Sequence, residues 1–188
     1  TNMDEHTPEF SLKFAVWVAF GVAALHRQTV SFHASTIQYG GKAVLFLGES
    51  GTGKSTHTRL WLDHIAGTEL LNDDSPFVSA NPKEVFAYGS PWSGKTPCYK
   101  NERYPIAAIV RLSQAPFNKM TRLGKIAAFG ALLPSCPPAF AYDETLSDCM
   151  HEIISNVILQ VPVYSLSCLP ELSAAELVFS TLTKDGFL

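Results

Sequence analysis

Apolar residues dominate the first long run of the chain. Residues 14–25 contain only apolar and small side chains, and the run has 12 residues, whereas a membrane-spanning helix needs roughly 20. In the residues before this run, the acidic Asp4, Glu5 and Glu9 outnumber the basic Lys13. This argues against a secretory signal, because such a signal begins with a basic stretch. We therefore expect a buried helix here.

The next segments change from a strand pattern to a helix pattern. Residues 29–37 alternate apolar with polar side chains, which is typical of a half-buried strand. Residues 38–42 contain two consecutive glycines and predict a turn, and residues 43–47 form a second apolar strand. Residues 54–66 then carry apolar side chains at helical spacing. The pattern predicts a β-hairpin whose second strand continues through a glycine-rich loop into a helix.

The rest of the chain alternates short strands with longer helices. The patterns predict strands at 69–74, 77–78, 85–88, 104–112 and 161–166, and helices at 125–133, 145–159 and 171–182. Between them, residues 89–103 contain Pro91 and Pro97 among small and polar residues, which indicates a long surface loop. Because the hairpin requires one antiparallel pair, we expect an α/β fold with a mixed β-sheet.

Composition narrows the classes of partner. With 188 residues and 46% hydrophobic content, the chain fits one domain over residues 1–188, and its start at Thr1 leaves open a longer parent protein. Fourteen Lys and Arg against 17 Asp and Glu give a net charge of −3, so neither nucleic acid nor a membrane is an expected partner. The four cysteines lack metal-ligand spacing, which favours reduced thiols and a cytoplasmic location. Oligomerisation stays open.

One segment carries a complete phosphate-binding motif. Residues 48–55 match G-x-x-x-x-G-K-[ST] between an apolar strand and a helix, the context that this motif requires. Glycines let the loop amides face phosphate oxygens, Lys54 neutralises the β and γ phosphates, and Ser55 ligates Mg²⁺. A plain glycine turn would not need Lys next to Ser. The predicted ligands are ATP and Mg²⁺, and the nucleotide-binding residues are Gly48, Glu49, Ser50, Gly51, Thr52, Gly53, Lys54, Ser55 and Thr56.

A second literal match to the motif, residues 89–96, lies in the long loop. We do not assign it as the primary phosphate site, because Pro91 lacks an amide donor and another proline follows the motif directly. Two interpretations of the loop stay open. Either Lys95 and Arg103 supply positive charge to the transferred phosphoryl group beneath a Trp92 lid, or the loop is a rigid surface segment with an incidental lysine.

We call residues 48–55 the P-loop. Two adjacent aspartates end the strand that follows the helix after the P-loop. A phosphoryl transferase needs one carboxylate for its metal and commonly another to orient or deprotonate the attacking hydroxyl. Asp73 and Asp74 could divide these tasks, and Ser55, Asp73 and Asp74 are the predicted metal ligands. Neighbouring side chains on a strand point to opposite faces, so both reach the site only if the strand has already ended. Which aspartate has which task stays open, as does a simple turn-capping role.

Residues 30–112 resemble the HPr kinase/phosphorylase catalytic domain and ATP-dependent phosphoenolpyruvate carboxykinase, which share one phosphate-binding fold. A histidine before the P-loop strand, the loop itself and a strand ending in Asp-Asp occur in the same order as His33, residues 48–55, Asp73 and Asp74. The resemblance implies a phosphoenolpyruvate carboxykinase-like P-loop fold, with helices packed against the mixed sheet. It also implies catalytic roles for the acidic pair and His33. On the residues alone, ordinary packing on a half-buried strand explains His33.

Residues 101–106 resemble the carboxykinase segment in which an arginine near Tyr-Pro-Ile contacts the γ-phosphate, and here that arginine is Arg103. The chain is too short for the oxaloacetate-binding domain of a carboxykinase. The leading prediction is therefore an ATP-dependent kinase that phosphorylates a serine-type hydroxyl of a small molecule or a protein. Two alternatives stay open: an ATP-binding regulatory or assembly module without efficient transfer, and a small carboxykinase-like enzyme.

Overall fold

The structure is a computed structural model that describes the backbone of residues 8–188 and the side chains of residues 11–188. The described helices are α1 (Pro8–Leu25), α2 (Lys54–His64), α3 (Lys125–Leu132), α4 (Glu144–Gln160) and α5 (Leu172–Lys184), with two 3₁₀ helices at Leu133–Ser135 and Pro138–Tyr142. The described strands are β1 (Thr29–Ser31), β2 (Ala34–Tyr39), β3 (Lys42–Leu47), β4 (Thr68–Asp74), β5 (Phe77–Ala80), β6 (Val85–Tyr88), β7 (Arg103–Gln114), β8 (Lys119–Arg122) and β9 (Val163–Cys168).

The strands form one mixed sheet in the order β1-β5-β6-β7-β3-β2-β4. The long strand β7 pairs antiparallel with β6 through its first residues and parallel with β3 and β9 further along. Strand β8 adds an antiparallel neighbour to β9. Because β7 belongs to both parts, the sheet continues from an antiparallel half into a mixed half in which β3, β7 and β9 are parallel.

Strand direction brings several strand ends to the same edge. Strand β2 is antiparallel to both β3 and β4, so β3 and β4 run in the same direction, as does β7. Ala34, at the start of β2, is opposite Leu47 at the end of β3 and Asp74 at the end of β4. The P-loop, the acidic pair and the residue before β2 therefore meet at one edge of the sheet.

Two apolar clusters, one on each face of β3, form the core. Alternate side chains of β3 point to opposite faces, as the pleat of a strand requires. Phe46 packs in the cluster that includes Trp61 of α2 and residues of α5. Leu45 packs in the cluster that includes Ile154 of α4 and residues of α3. Both clusters are closed to solvent, and Phe46, Leu45 and Trp61 are each 0% exposed. The core thus holds the strand before the P-loop between two helical layers.

Most elements predicted from the apolar pattern are confirmed. Strands β2 and β3 form the expected hairpin around Gly40 and Gly41. A helix follows the P-loop, and residues 89–102 form the expected long loop. The mixed sheet is also confirmed. Local periodicity was sufficient for these elements because each has a sharp polar or glycine boundary.

Some strand boundaries and short elements were predicted wrongly or missed. Residues 29–37 are not one strand, because the chain divides at Phe32 and His33 into β1, which pairs with β5, and β2. Strand β8 was not expected, since its exposed side chains provide no apolar alternation beyond Met120. The two 3₁₀ helices were also missed, and they contain prolines that weaken a helical pattern.

Helix α1 is present, but the expectation that it is buried is wrong. Leu12, Phe14 and Phe20 are 66%, 57% and 49% exposed, whereas Ala24 and Leu25 at its end are buried. The helix contacts β1 and α4 at the end of the sheet, where few elements are available to cover it. Among the helices of residues 8–188, none combines the length and the apolar character that crossing a membrane requires.

Candidate functional site

The P-loop, residues 48–55, joins the end of β3 to the first turn of α2. Gly53 precedes α2 with a φ of 100°, a conformation that strains any residue with a Cβ atom. Lys54 Nζ donates hydrogen bonds to the carbonyl oxygens of Gly48 at 2.8 Å and Glu49 at 3.2 Å. First-turn amides of a helix lack partners within the helix and carry its positive dipole end. An ammonium group and these amides therefore converge on one loop, which fits a phosphate group.

His33 connects the P-loop lysine to the second aspartate. Its Nε2 lies 2.8 Å from Lys54 Nζ, and its Nδ1 lies 3.4 Å from Asp74 Oδ1. Burial lowers the pKa of His33, with the Lys54 charge acting in the same direction and the Asp74 charge opposing both, so the neutral imidazole is favoured. An ammonium group can only donate, which makes Nε2 the acceptor and places the ring proton on Nδ1, facing Asp74.

Asp73 is held between the P-loop helix and the long loop. The Ser55 hydroxyl donates to Asp73 Oδ1 at 3.0 Å, and the amide of Thr96 lies 3.3 Å from Asp73 Oδ2. The amide of Gly94 donates to the Asp73 carbonyl oxygen. A Cβ atom on Gly94 would lie 2.7 Å from that oxygen, so only glycine permits this approach. The Asp73 carboxylate is thereby oriented toward the hydroxyl that was predicted to bind Mg²⁺.

The backbone at Asp74 explains how both aspartates reach the same edge. A regular strand would point Asp73 and Asp74 to opposite faces. Asp74 instead has a φ of 144°, a conformation that non-glycine residues rarely adopt and that often occurs at functional sites. With this backbone conformation Asp74 lies beside His33, and Ser75 Oγ donates to Asp74 Oδ2 at 3.3 Å. Both aspartates are thus still part of β4, and the unusual backbone at Asp74, not an earlier strand end, accompanies the contacts of both side chains at this edge.

The long loop is attached to the acidic strand by side-chain hydrogen bonds. Asn72 Nδ2 donates to Ser90 Oγ at 3.2 Å and to the Trp92 carbonyl oxygen at 3.0 Å. Lys95 lies between the two loop residues whose amides contact Asp73, and its side chain is exposed. The structure therefore places the backbone of Lys95 next to the acidic pair.

Trp92 packs against helix α1. Its ring centroid lies 5.5 Å from that of Phe20 and 5.8 Å from that of Phe77. The indole Nε1 donates to the Lys13 carbonyl oxygen at 3.3 Å. These contacts attach the long loop to α1, and the role of Trp92 as a lid over the phosphates stays a prediction.

Arg103 is not brought to this edge of the sheet. It begins β7, where Nη1 donates to the Tyr88 hydroxyl at 3.2 Å and the guanidinium lies 4.9 Å from the centre of the Phe86 ring. Arg111 lies eight positions after Arg103 along the extended strand, which corresponds to about 26 Å. Since the P-loop follows the end of β3 that lies next to Arg111, Arg103 is at the opposite end of β7.

Arg111 is a residue of this edge that the sequence interpretation missed. It is opposite Leu47, the last residue before the P-loop. Its Nη1 donates to the Ala131 carbonyl oxygen at 3.0 Å, and its Nη2 lies 4.0 Å from Glu49 Oε1. The positive charge of Arg111 also contributes to lowering the pKa of Lys54, although burial is the larger cause. A charged residue inside an otherwise apolar strand, between Val110 and Leu112, was the available signal.

The oxygen atoms around Ser55 and Asp73 suit a divalent cation. Magnesium prefers oxygen ligands and commonly binds through one or two protein groups plus phosphates and water. The hydroxyl and carboxylate oxygens lie 3.0 Å apart, close enough for both to face one cation. Within residues 11–188, no group of three or more His, Cys, Asp and Glu side chains forms a self-sufficient metal site. The residues present fit a cation that is bound together with a phosphate ligand.

A cavity of about 370 Å³ adjoins the P-loop on the side of β7. Its walls combine residues 49–52 of the loop with residues 111–114 at the end of β7. Gln114 Nε2 donates to the Gly51 carbonyl oxygen at 3.1 Å and closes one side. The loop therefore has open space beside it for the rest of a phosphate-containing ligand.

Comparisons with known proteins give a distant similarity to solved structures and none by sequence. No protein-family model matches the chain, and no curated protein sequence matches it. Among solved structures, the chain is similar to one described as the Hpr(Ser) kinase/phosphatase from Coxiella burnetii. The two share 13% sequence identity over 83% of this chain and 95% of that chain, with a TM-score of 0.45. The function proposed below rests on the geometry of this chain's own residues.

Proposed function

We propose that this chain is an ATP-dependent kinase of the phosphoenolpyruvate carboxykinase-like P-loop fold, which transfers the γ-phosphoryl group to an acceptor hydroxyl. One observation carries the proposal. At one edge of the sheet, His33 contacts both the P-loop lysine and Asp74, and Ser55 of the same loop donates to the neighbouring Asp73. Phosphoryl transfer needs a phosphate cradle, a metal carboxylate and a group that orients the acceptor. This edge offers all three.

The P-loop and its neighbours hold the nucleotide in this proposal. Lys54 exchanges its contacts with the loop carbonyls for the β and γ phosphates, which are stronger partners for an ammonium group. Ser55 and Asp73 hold Mg²⁺, which neutralises phosphate charge when bound. The cavity beside Arg111 and Gln114 accommodates the nucleoside.

Asp74 and His33 act on the acceptor. The Asp74 carboxylate takes the hydroxyl proton while the hydroxyl oxygen bonds to the γ-phosphorus. The bond from that phosphorus to the β–γ bridging oxygen breaks at the same time, and ADP leaves with the bridging oxygen. His33 keeps its Nδ1 proton directed at Asp74 and so fixes the orientation of the carboxylate. A positioned base of this kind contributes roughly 10²-fold or more to the rate.

Two measurements test the proposal. The first is the thermal midpoint (Tm) with and without millimolar Mg-ATP, since a ligand that binds only the folded state stabilises it by about 2.7 kcal/mol at a hundredfold excess over Kd. We expect Lys54→Ala to remove most of the increase in Tm. Arg59→Ala, an exposed substitution on the same helix, should keep it. A wild-type Tm that does not change with Mg-ATP would refute nucleotide binding.

The second measurement is transfer from γ-labelled ATP to free serine, small hydroxy compounds and serine peptides. Labelled product from wild type, but not from Lys54→Ala, supports the kinase assignment. Binding of Mg-ATP without transfer to any acceptor or to water would instead favour a nucleotide-binding regulatory module.

A further inference from the structure

A second cavity, of about 490 Å³, adjoins His33 and Asp74. Ligand sites for small molecules are commonly about 300–1,000 Å³, largely apolar and equipped with a few polar groups. Helix α1, the end of β1, the end of β4, the long loop and the segment 134–138 all contribute walls. The apolar side chains that line it include Phe14, Trp17, Phe32, Trp92, Cys136 and Pro137.

The polar end of this cavity is the His33–Asp74 pair. Both residues line the cavity, and their side chains are 47% and 42% exposed, so a bound compound can reach them. Burial raises the pKa of the Cys136 thiol to about 12, which keeps that group protonated and makes it part of the apolar wall. This cavity, which we call the chamber, therefore combines apolar walls with Asp74, the residue that we assign as the base.

Neither of the two neighbouring cavities offers this combination. The cavity beside the P-loop shares no lining residue with it. A further cavity of about 630 Å³ is lined by Trp92, Phe20 and Tyr88, but neither His33 nor Asp74 contributes to its walls. A nucleotide that enters beside Arg111 thus leaves the chamber at α1 available for a second reactant.

We infer that the chamber between α1 and the His33–Asp74 pair binds the acceptor, and that the acceptor is a small hydroxy compound with an apolar, aromatic-sized body. This inference rests on the proposed function. The apolar walls favour a ligand whose own apolar surface leaves water on binding. The hydroxyl of the ligand then lies at Asp74, which contacts His33 and through it the Lys54 ammonium group that holds the γ-phosphate in the proposal. A purely polar acceptor such as free serine has no apolar body to contact the aromatic walls.

Binding can be tested without nucleotide and without chemistry. The probe is N-phenylacetyl-L-alanine, which has the apolar body but no hydroxyl, and the signal is tryptophan fluorescence. Trp17 and Trp92 line the chamber, whereas Trp61 is fully buried in the core. We expect a saturable change with this probe and none with L-alanine at the same concentration.

Matched substitutions on α1 locate the site. Phe14 lines the chamber and Leu12 does not, and both are exposed, at 57% and 66%, so neither change should prevent folding. Loss of one aromatic contact corresponds to about a three- to tenfold rise in Kd. We expect Phe14→Ala to raise the Kd of the probe by that factor, while Leu12→Ala leaves it unchanged.

Transfer assays complete the test. With Mg-ATP, N-phenylacetyl-L-serine should be phosphorylated at least tenfold faster than L-serine at equal concentration, and N-phenylacetyl-L-alanine should inhibit competitively. N-phenylacetyl-L-serinamide shows whether Lys13, which also lines the chamber, selects for a carboxylate.

Equal rates with L-serine, or equal effects of Phe14→Ala and Leu12→Ala on the Kd, would overturn the inference and leave the kinase proposal standing. Probe binding with no effect of Mg-ATP on Tm would overturn the kinase proposal and the acceptor role together.

Discussion

A buried histidine on the P-loop helix makes the stability of this protein depend on pH. His57 is 3% exposed, its ring centroid lies 4.7 Å from that of Phe46, and Trp61 Nε1 donates to its Nε2 at 3.3 Å. Burial in this apolar setting lowers the pKa of His57 to about 4, against 6.5 for an exposed histidine. The folded state therefore holds the neutral ring, whereas the unfolded chain takes up a proton below about pH 6.5.

The direction and size of the effect follow from proton linkage. Between pH 6.5 and about 4 the unfolded state binds more protons, so the free energy of unfolding falls as pH falls. The contribution of His57 is fully present above pH 6.5 and is lost progressively toward pH 4. The whole difference in pKa corresponds to about 3 kcal/mol, of which about 2 kcal/mol is lost between about pH 8 and pH 5.

Urea unfolding followed by circular dichroism at about pH 8 and pH 5 measures this loss. His57→Gln keeps an acceptor oxygen for Trp61 Nε1 and removes the titrating group. His64→Gln, an exposed change at the end of the same helix, is the control. We expect His57→Gln to lose about 2 kcal/mol less than wild type between the two pH values, and His64→Gln to follow wild type. If wild type and His57→Gln lose equal stability, the burial argument for this histidine is wrong.

The remaining predictions concern the proposed transfer. Asp74→Asn should keep Mg-ATP binding and reduce transfer by roughly 10²-fold, whereas Asp73→Asn should raise the Mg²⁺ concentration needed for half-maximal rate; equal effects of both would contradict the division of tasks. Arg111→Met should weaken Mg-ATP binding in a Tm assay, and Arg103→Met, at the far end of the same strand, should not; the reverse order would contradict the assignment. Lys95→Ala should reduce transfer with little change in ATP affinity, and turnover within twofold of wild type would identify the loop as a passive support.

Local pattern was enough to predict the strand, the glycine-rich loop and the helix around residues 48–55. The glycines, Lys54 and Ser55 lie within this one segment, so their arrangement depends on neighbours that are close in sequence. The carboxylates at the end of β4 were also recognisable, because the strand predicted over residues 69–74 ends in Asp73 and Asp74. His33 entered only through the family resemblance, and the structure places it against Lys54 and Asp74.

The separate contacts of the two aspartates depend on a backbone detail. No periodicity in the sequence predicts a φ of 144° at Asp74, and that angle lets Asp73 contact Ser55 while Asp74 contacts His33. Close tertiary contacts maintain such a conformation, since a residue with a Cβ atom does not adopt it by preference. Local propensity therefore could not distinguish the two aspartates.

Strand order and helix placement decided the positions of Arg103 and Arg111 and the exposure of α1. Arg103 resembled a phosphate-binding arginine in its local sequence, yet the parallel pairing of β7 with β3 brings Arg111 to the P-loop and leaves Arg103 about 26 Å along the strand. The apolar run of α1 predicted a helix correctly but not its exposure, because burial depends on which elements cover a helix. The same placement makes Phe14 a wall of the chamber beside Asp74. Contacts between segments distant in sequence arise only when the sheet assembles, and a pattern of neighbouring residues does not contain them.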